Sequence, residues 1–128
     1  LLKHAVRLAH RAMPFSIIAW VVLPNHMHTI WQLPPGDTNY PARWQLLKKR
    51  FSRDLRLTSP QNCVPTEPVW QRGYWEHVIR DDSDLRHHID YVHRNPQKHH
   101  FVQHVRDWPH STFHKYVRAG FYDIDWCG

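Results

Sequence analysis

Two histidines separated by a single residue, His26 and His28, are the first side chains whose types and spacing suggest chemistry. They lie within an apolar run, IIAWVVLPNHMHTIW over residues 17–31, which is interrupted first by Pro24 and Asn25 and then by the two histidines. In an extended strand, alternate side chains point to the same face, so both imidazoles project the same way. Neutral imidazole binds divalent transition metals, and a third ligand must come from elsewhere in the chain. Taken alone, such a pair is more often two polar side chains that share a strand face.

A tyrosine and an amide one helical turn apart follow in the second half of the sequence. Residues 81–95 have helical periodicity, begin with side chains that suit a helix N-terminus, and precede Pro96, where the helix is expected to end. Tyr91 and Asn95 are neighbours at positions i and i+4 of this helix. Its buried stripe is predicted to contain Leu85, Ile89 and Val92. The tyrosine pair alone is ordinary helix surface, but beside a His-x-His strand Tyr91 becomes a candidate nucleophile next to a metal site.

The elements expected to position these residues are a helix over residues 1–13 and two strands, over 15–23 and 26–33, that form a hairpin. A second helix is predicted over residues 40–55. Its apolar face is predicted to contain Trp44, Leu47, Phe51 and Leu55. Its other faces carry the cations Arg43, Lys48, Lys49, Arg50 and Arg53. A basic helix is usually a solvated face, yet five cations before the first acid at Asp54 make contact with phosphates a serious alternative.

The middle of the chain is predicted to contain a linker and then a third strand. Residues 58–68 are rich in proline and should form an exposed, turn-rich linker. Residues 69–80, VWQRGYWEHVIR, favour a strand or a short irregular segment followed by one. Glu76 and His77 within it are interpreted as a cross-strand polar pair, and a supporting role near a metal is the weaker alternative.

Composition limits the class of protein. A chain of 128 residues is most simply one domain, residues 1–128, with a real core. A formal charge of +6 favours a polyanionic partner. The longest apolar stretch, residues 17–23, is far below the roughly 20 residues that span a bilayer, so we expect a soluble domain without a membrane partner. Cys63 and Cys127 form no Cys-x-x-Cys pair, which indicates a reducing compartment and no zinc ribbon or redox motif. Because the chain starts at Leu1 in a predicted helix, we expect that sequence precedes it.

Five segments in order carry a family resemblance: WVVLPNHMHTIWQLP, ARWQLLKKRFSR, WQRGYWEHVIRD, DYVHRNPQKHHFV and RDWPHSTFHKYV. Together they resemble the single-tyrosine HUH transposases, and specifically the REP-associated tyrosine transposases of bacteria. The resemblance covers nearly the whole chain. It implies an α+β fold, a ferredoxin-like antiparallel sheet with helices packed on it, known as the HUH endonuclease fold.

The chain departs from the family pattern in two places. The family begins with a strand before the helix that corresponds here to residues 1–13, and that strand is absent, which is expected to expose strand-pairing groups. After Pro96 the chain reads QKHHFV, where the family commonly has a small residue and a glycine after the lysine. The second change is not expected to affect the chemistry.

The resemblance also implies a role for individual residues. His26 and His28 would be the metal ligands, with Asn95 as the third, and Tyr91 would be the nucleophile. The metal would be Mg²⁺ or Mn²⁺, given the mixture of oxygen and nitrogen donors, although imidazole would also accept zinc or nickel. Lys98 could reach a phosphate or the leaving oxygen, although a solvated lysine is at least as good an interpretation. The basic helix and residues 106–118 are the best candidates for gripping DNA.

The expected function is therefore a metal-dependent single-strand DNA endonuclease and strand-transferase that acts on REP-type hairpins through a 5′-phosphotyrosine intermediate. Its partners would be single-stranded or hairpin DNA, and it would act as a monomer or homodimer in the bacterial cytoplasm, associated with the nucleoid. Two alternatives stay open. One is a sequence-specific protein that binds DNA hairpins without cleaving them, and the other is a metal-dependent phosphodiesterase that uses water, with Tyr91 structural.

Overall fold

The computed structural model describes residues 1–58, 70 and 76–127. Within these residues the fold is α+β, as predicted, with a sheet of two antiparallel strands. The helices are α1 Leu2–Ala12, α2 Tyr40–Thr58, α3 Asp82–Lys98 and α4 Phe113–Arg118, and the strands are β1 Ser16–Val22 and β2 Met27–Gln32. A short 3-10 helix, Val105–Asp107, precedes α4. No helix in the described part of the chain is long and apolar enough to cross a membrane.

Two compact units can be distinguished, and each is described by itself. The first contains Leu1–Ser16 and Leu33–His77, and the second contains Ile17–Gln32 and Val78–Gly128. The first therefore holds α1 and α2, whereas the second holds nearly all of the hairpin together with α3 and α4. That residues 1–128 form one domain stays a prediction.

Helices α1 and α2 pack together in the first unit. Their buried residues are small on one helix and long on the other: Ala5 and Ala9 on α1, Arg43 and Leu47 on α2. Alanines leave room for the close approach of a second helix, and Leu47 is fully buried as predicted. Trp44 and Phe51 are only partly buried.

The prediction that Arg43 contacts DNA from α2 is wrong, because the structure buries Arg43 to 1% exposure. Its guanidinium donates to both carboxylate oxygens of Asp37, at 3.1 and 2.8 Å, and to the carbonyl oxygens of Met13, Pro14 and Asn39. The hydrogen bonds from Arg43 lower the pKa of the Asp37 carboxyl to about 2. All five N–H donors of the guanidinium are used, so none remains for a phosphate.

The hairpin and α3 supply the core of the second unit. The main-chain N–H of Leu23 donates to the carbonyl of His26 at 2.8 Å and closes the hairpin across Pro24 and Asn25, as predicted. The core cluster consists of Ala19, Val21, Leu23, Ile30 and Val92, with Ile18, Leu85, Ile89 and Trp108 packed against it. The predicted apolar stripe of α3 therefore faces this core.

The segment before α4 covers the other edge of β1. The N–H of Val22 donates to the carbonyl of His110 at 2.9 Å, and the N–H of Thr112 donates to the carbonyl of Trp20 at 3.0 Å. The Trp108 indole N–H adds a hydrogen bond of 3.0 Å to the carbonyl of Val22. The C-terminal half of β1 thus lies between β2 and residues 110–112, which satisfies the backbone groups of Trp20 and Val22 on this edge.

Two predictions about secondary structure are wrong. Helix α3 does not end before Pro96 but continues to Lys98 with Pro96 buried inside it. Pro96 removes one main-chain hydrogen bond, and the following turn is kept by the N–H of His99, which donates to the carbonyl of Asn95 at 3.0 Å. Residues 76–80, predicted as part of a strand, have no regular structure, and the rest of that strand and nearly all of the predicted linker lie outside the described residues.

Candidate active site

His26 and His28 lie together at the start of β2, and their ring centroids are 5.0 Å apart. His26 precedes the strand and is exposed, with Nδ1 2.6 Å from the side-chain oxygen of Asn25. His28 lies within the strand, two residues before the buried Ile30, and so shares its core-facing side. In the described part of the chain, Nε2 of His28 is buried and has no hydrogen-bond partner.

Tyr91 lies against this pair, with its ring centroid 5.7 Å from that of His28 and the two rings nearly perpendicular. Tyr91 lies on helix α3. The start of this helix is fixed by Asp81, whose side chain accepts a hydrogen bond of 2.8 Å from the N–H of Asp84. The adjacent Val92 is buried in the core and fixes the rotation of the helix. Strand and helix thus bring the predicted nucleophile to the predicted metal ligands.

Asn95 is fully buried one turn further along α3. Its amide nitrogen donates to the carbonyl of Tyr91 at 3.1 Å. The amide oxygen is buried and, among the described residues, has no partner. A buried polar atom without a partner is costly, so this oxygen and Nε2 of His28 are two unused acceptors, each on a residue that contacts Tyr91. Two imidazoles and an amide oxygen are a donor set that suits a divalent cation.

The protonation of the histidines supports this use. Burial lowers the pKa of His28 to about 4, with a further contribution from the nearby His26, His99 and Lys98. Burial and then His99 lower the pKa of His26. Both imidazoles are therefore neutral at neutral pH, the form in which a ring nitrogen can bind a metal.

Lys98 lies beside the phenol of Tyr91. Its Nζ is 3.5 Å from the Tyr91 hydroxyl and 4.7 Å from the centroid of the ring. This contact depends on the unexpected continuation of α3 through Pro96, which places Lys98 in the last turn of the helix. A cation is thus held at the oxygen that would react.

His99 belongs to the same cluster, and the sequence prediction did not include it. Its ring centroid is 5.4 Å from that of His26. The signal available was the pair of histidines after the lysine in NPQKHHFV, but a helix expected to stop at Pro96 gave them no defined position. His93 was also not predicted as a site residue, and it is a core residue. Its Nε2 lies 2.7 Å from the hydroxyl of Thr112, and its Nδ1 lies 3.2 Å from that of Tyr122.

The cations of the predicted basic helix lie on α2, in the first unit. Lys49 and Arg53 are exposed. Lys48 lies 5.8 Å from the ring of Trp44, and Arg50 is paired with Asp54 at 3.3 Å. Of the five cations predicted on this helix, two are therefore exposed, two are partly occupied by neighbours, and Arg43 is buried.

Comparison with known proteins gives a consistent result. No family model matches the chain. A protein of Escherichia coli K12 named REP-associated tyrosine transposase is 48% identical over 128 residues, which cover all of this chain and 72% of the relative. A Haemophilus influenzae protein named putative REP-associated tyrosine transposase is 44% identical over 124 residues, covering 90% of this chain and 68% of the relative. The solved structure of a REP-associated tyrosine transposase bound to a REP hairpin matches with a TM-score of 0.87 and 48% identity, over 99% of this chain and 72% of that one.

Proposed function

Since the chain belongs to the family of REP-associated tyrosine transposases, we propose that it cuts and rejoins single-stranded DNA at REP-type hairpins through a 5′-phosphotyrosine intermediate. The relatives are named as transposases and the solved relative is bound to a REP hairpin, which supports an enzyme that acts on hairpin DNA. The contact of Tyr91 with His28, 5.7 Å between ring centroids, is the observation on which the mechanism rests.

In the proposed reaction the hydroxyl oxygen of Tyr91 attacks the phosphorus of one phosphodiester. The bond from phosphorus to the 3′ oxygen breaks, the phenol gives up its proton, and the departing 3′ oxygen gains one. The 5′ phosphate stays on Tyr91, which conserves the energy of the bond, so a later 3′ hydroxyl can attack the phosphotyrosine and rejoin the strand.

The residues around Tyr91 have separate roles in this proposal. His26, His28 and the side-chain oxygen of Asn95 would hold Mg²⁺ or Mn²⁺, which would supply positive charge to polarise the scissile phosphate. The amide nitrogen of Asn95, bonded to the carbonyl of Tyr91, keeps its oxygen turned away from that carbonyl. Lys98 stabilises the negative charge that develops on the transferred phosphate, because its Nζ lies beside the attacking oxygen.

The test is a covalent adduct assay. The full chain is incubated with Mn²⁺ and a labelled REP-type hairpin that has single-stranded flanks, and the products are separated under denaturing conditions. We expect a slow-migrating adduct that disappears in Tyr91→Phe and after chelation of the metal, and that persists in Tyr40→Phe, a tyrosine at the start of α2. An adduct that persists in Tyr91→Phe would assign the nucleophile to another residue.

Two alternative functions have their own outcomes in this assay. Cleavage without an adduct would indicate a phosphodiesterase that uses water. Binding without cleavage would indicate a protein that binds DNA hairpins, for which the hairpin in the solved relative and the +6 charge of this chain are the supporting observations. A monomeric or dimeric state and association with the nucleoid stay predictions.

A further inference from the structure

A shallow groove lies directly after the tyrosine helix. Its volume is about 650 Å³, and it is lined by Gln97, His100, Phe101, Val102 and Gln103. Sites for small ligands commonly measure about 300–1,000 Å³, so the groove has the size for a base or a nucleotide.

Aromatic rings connect this groove to the candidate active site. The ring of His99 lies 5.4 Å from that of His26 and 6.5 Å from that of Phe101. Phe101 in turn lies 5.7 Å from Trp108, whose indole is anchored to the carbonyl of Val22. Trp108 supports Phe101 from the core, yet Phe101 is 41% exposed. A large, supported and exposed ring next to a reaction centre is a platform suited to stacking.

The polar groups of the groove suit a nucleic acid. No carboxylate is among its lining residues, and Lys98 and His99 lie in the chain between the lining residues Gln97 and His100. The amide nitrogen of Gln97 donates to the main-chain carbonyl of Gln103 at 3.0 Å, which ties together the two ends of the lining segment. The side-chain oxygen of Gln97 and the amide of Gln103 can pair with the edge of a base, since an amide offers both donors and an acceptor.

We propose that this groove binds a nucleobase of the single strand that flanks the scissile phosphate, with the base stacked on Phe101. The inference rests on the proposed function and names the part of the substrate that lies beyond the reacting phosphate. Lys98 contacts Tyr91 from seven residues further along the helix, about 10 Å along its axis. The ring of Phe101 is connected to the candidate metal ligand His26 through the ring of His99, so the base belongs to a nucleotide close to the scissile position and not to the hairpin stem.

The experiment uses a REP-type hairpin with thymidine flanks in which 2-aminopurine replaces one flank position at a time. Stacking quenches its fluorescence, so we expect quenching near the scissile phosphate that is lost in Phe101→Ala and kept in Phe101→Trp. Flank-dependent binding should weaken about 5- to 150-fold in Phe101→Ala, the range for loss of one base–aromatic stack. Phe121→Ala is the matched control, because Phe121 is 74% exposed and lies outside the groove.

A second variant, Phe101→Leu, keeps an apolar contact with Trp108 but has no aromatic face, and it should lose quenching as Phe101→Ala does. The covalent adduct is measured on the same samples. If the adduct forms and quenching is the same in all variants, the base site is overturned and the proposed function stands. If the unmodified chain neither binds the hairpin nor forms an adduct, the proposed function fails and the base site fails with it.

Discussion

At Lys98, beside Tyr91, an effect on the chemical step can be separated from an effect on DNA affinity. Its ammonium group is 3.5 Å from the hydroxyl of Tyr91, yet the side chain is exposed, so stability should not depend on it. A charge that acts mainly on the transition state changes the rate of the chemical step more than substrate affinity.

We expect Lys98→Met to slow adduct formation at saturating DNA by roughly 10- to 100-fold, because the variant lacks the charge that stabilises the transferred phosphate. The affinity for the hairpin should change little. Single-turnover kinetics over a range of DNA concentrations separate the two effects, with Lys3→Met on α1 as the control, since Lys3 is also exposed and lies outside the predicted DNA contacts. If Lys98→Met lost only affinity for the hairpin, Lys98 would contact a phosphate of the bound DNA without stabilising the transition state.

His93 gives a prediction about pH. It is fully buried, with its ring between Thr112 and Tyr122, and burial lowers its pKa from 6.5 to about 4. Between these values the unfolded chain takes up a proton that the folded chain does not, so the folded state loses stability as pH falls from 6.5 towards 4. The loss from this residue is up to about 3 kcal/mol.

Urea unfolding of the unmodified chain and of His93→Gln at pH 7 and pH 4.5 measures this contribution. The variant is expected to be less stable at pH 7, since it disturbs a buried hydrogen-bond network, but to lose less stability on acidification. Equal losses in the two proteins would show that His93 does not contribute to the acid sensitivity.

At the scale of elements, the end of helix α3 determines what surrounds the site. His100 has a φ of 61°, in the left-handed region. The N–H of His100 donates to the carbonyl of Gln97 at 3.0 Å, and the N–H of Phe101 donates to that of Pro96 at 2.9 Å. This is the Schellman arrangement, in which glycine is the usual residue at the left-handed position. His100 therefore holds a strained backbone beside the groove.

We expect His100→Gly to stabilise the chain by about 1 kcal/mol, because glycine adopts positive φ without a steric penalty. His104→Gly is the control, since His104 is also exposed but has a φ of −121°, where glycine only adds freedom to the unfolded chain. Thermal unfolding of both variants should give shifts of opposite sign. A lower midpoint for His100→Gly would mean that its side chain makes a stabilising contact.

The α3 boundary also shows where sequence reasoning succeeds at this scale and where it fails. The apolar stripe of α3 is predicted correctly and packs in the core, because burial of one helix face dictates its period. The predicted end of α3 was wrong. The rule that a proline ends a helix considers the missing main-chain hydrogen bond and takes no account of the burial of Pro96. The positions of Lys98 and His99 depend on that end.

Arg43 illustrates a second limit. Charge is a good guide to exposure, and the sequence gives no sign that the carbonyls of Met13 and Pro14 need donors. Only the packing of α1 against α2 creates that need. The positions of His28, Tyr91 and Asn95 were predictable, because each lies on an element whose face is fixed by its neighbours in the core. His26 directly precedes β2, and its position follows from its spacing to His28. Their chemical roles stay predictions.

For the whole molecule, the +6 charge predicts hairpin binding that weakens with salt. If the exposed cations Lys49 and Arg53 neutralise phosphates, replacing both with alanine should reduce the slope of log affinity against log salt by about 2, roughly one for each phosphate that is no longer neutralised. The control pair is Lys3→Ala with Arg7→Ala, exposed cations on α1. Equal changes in slope for the two pairs would mean that the cations of α2 contribute to hairpin binding only through the overall charge of the chain.

The histidine strand and the tyrosine helix belong to the same compact unit of one chain, with His28 and Tyr91 in contact. In genetic terms, two defective copies should therefore fail to complement each other. A mixture of His28→Ala and Tyr91→Phe chains is expected to form no adduct, whatever the ratio or the time allowed for subunits to exchange. Formation of the adduct by the unmodified chain should be first order in the bound complex, with a rate constant that does not change on dilution of the protein.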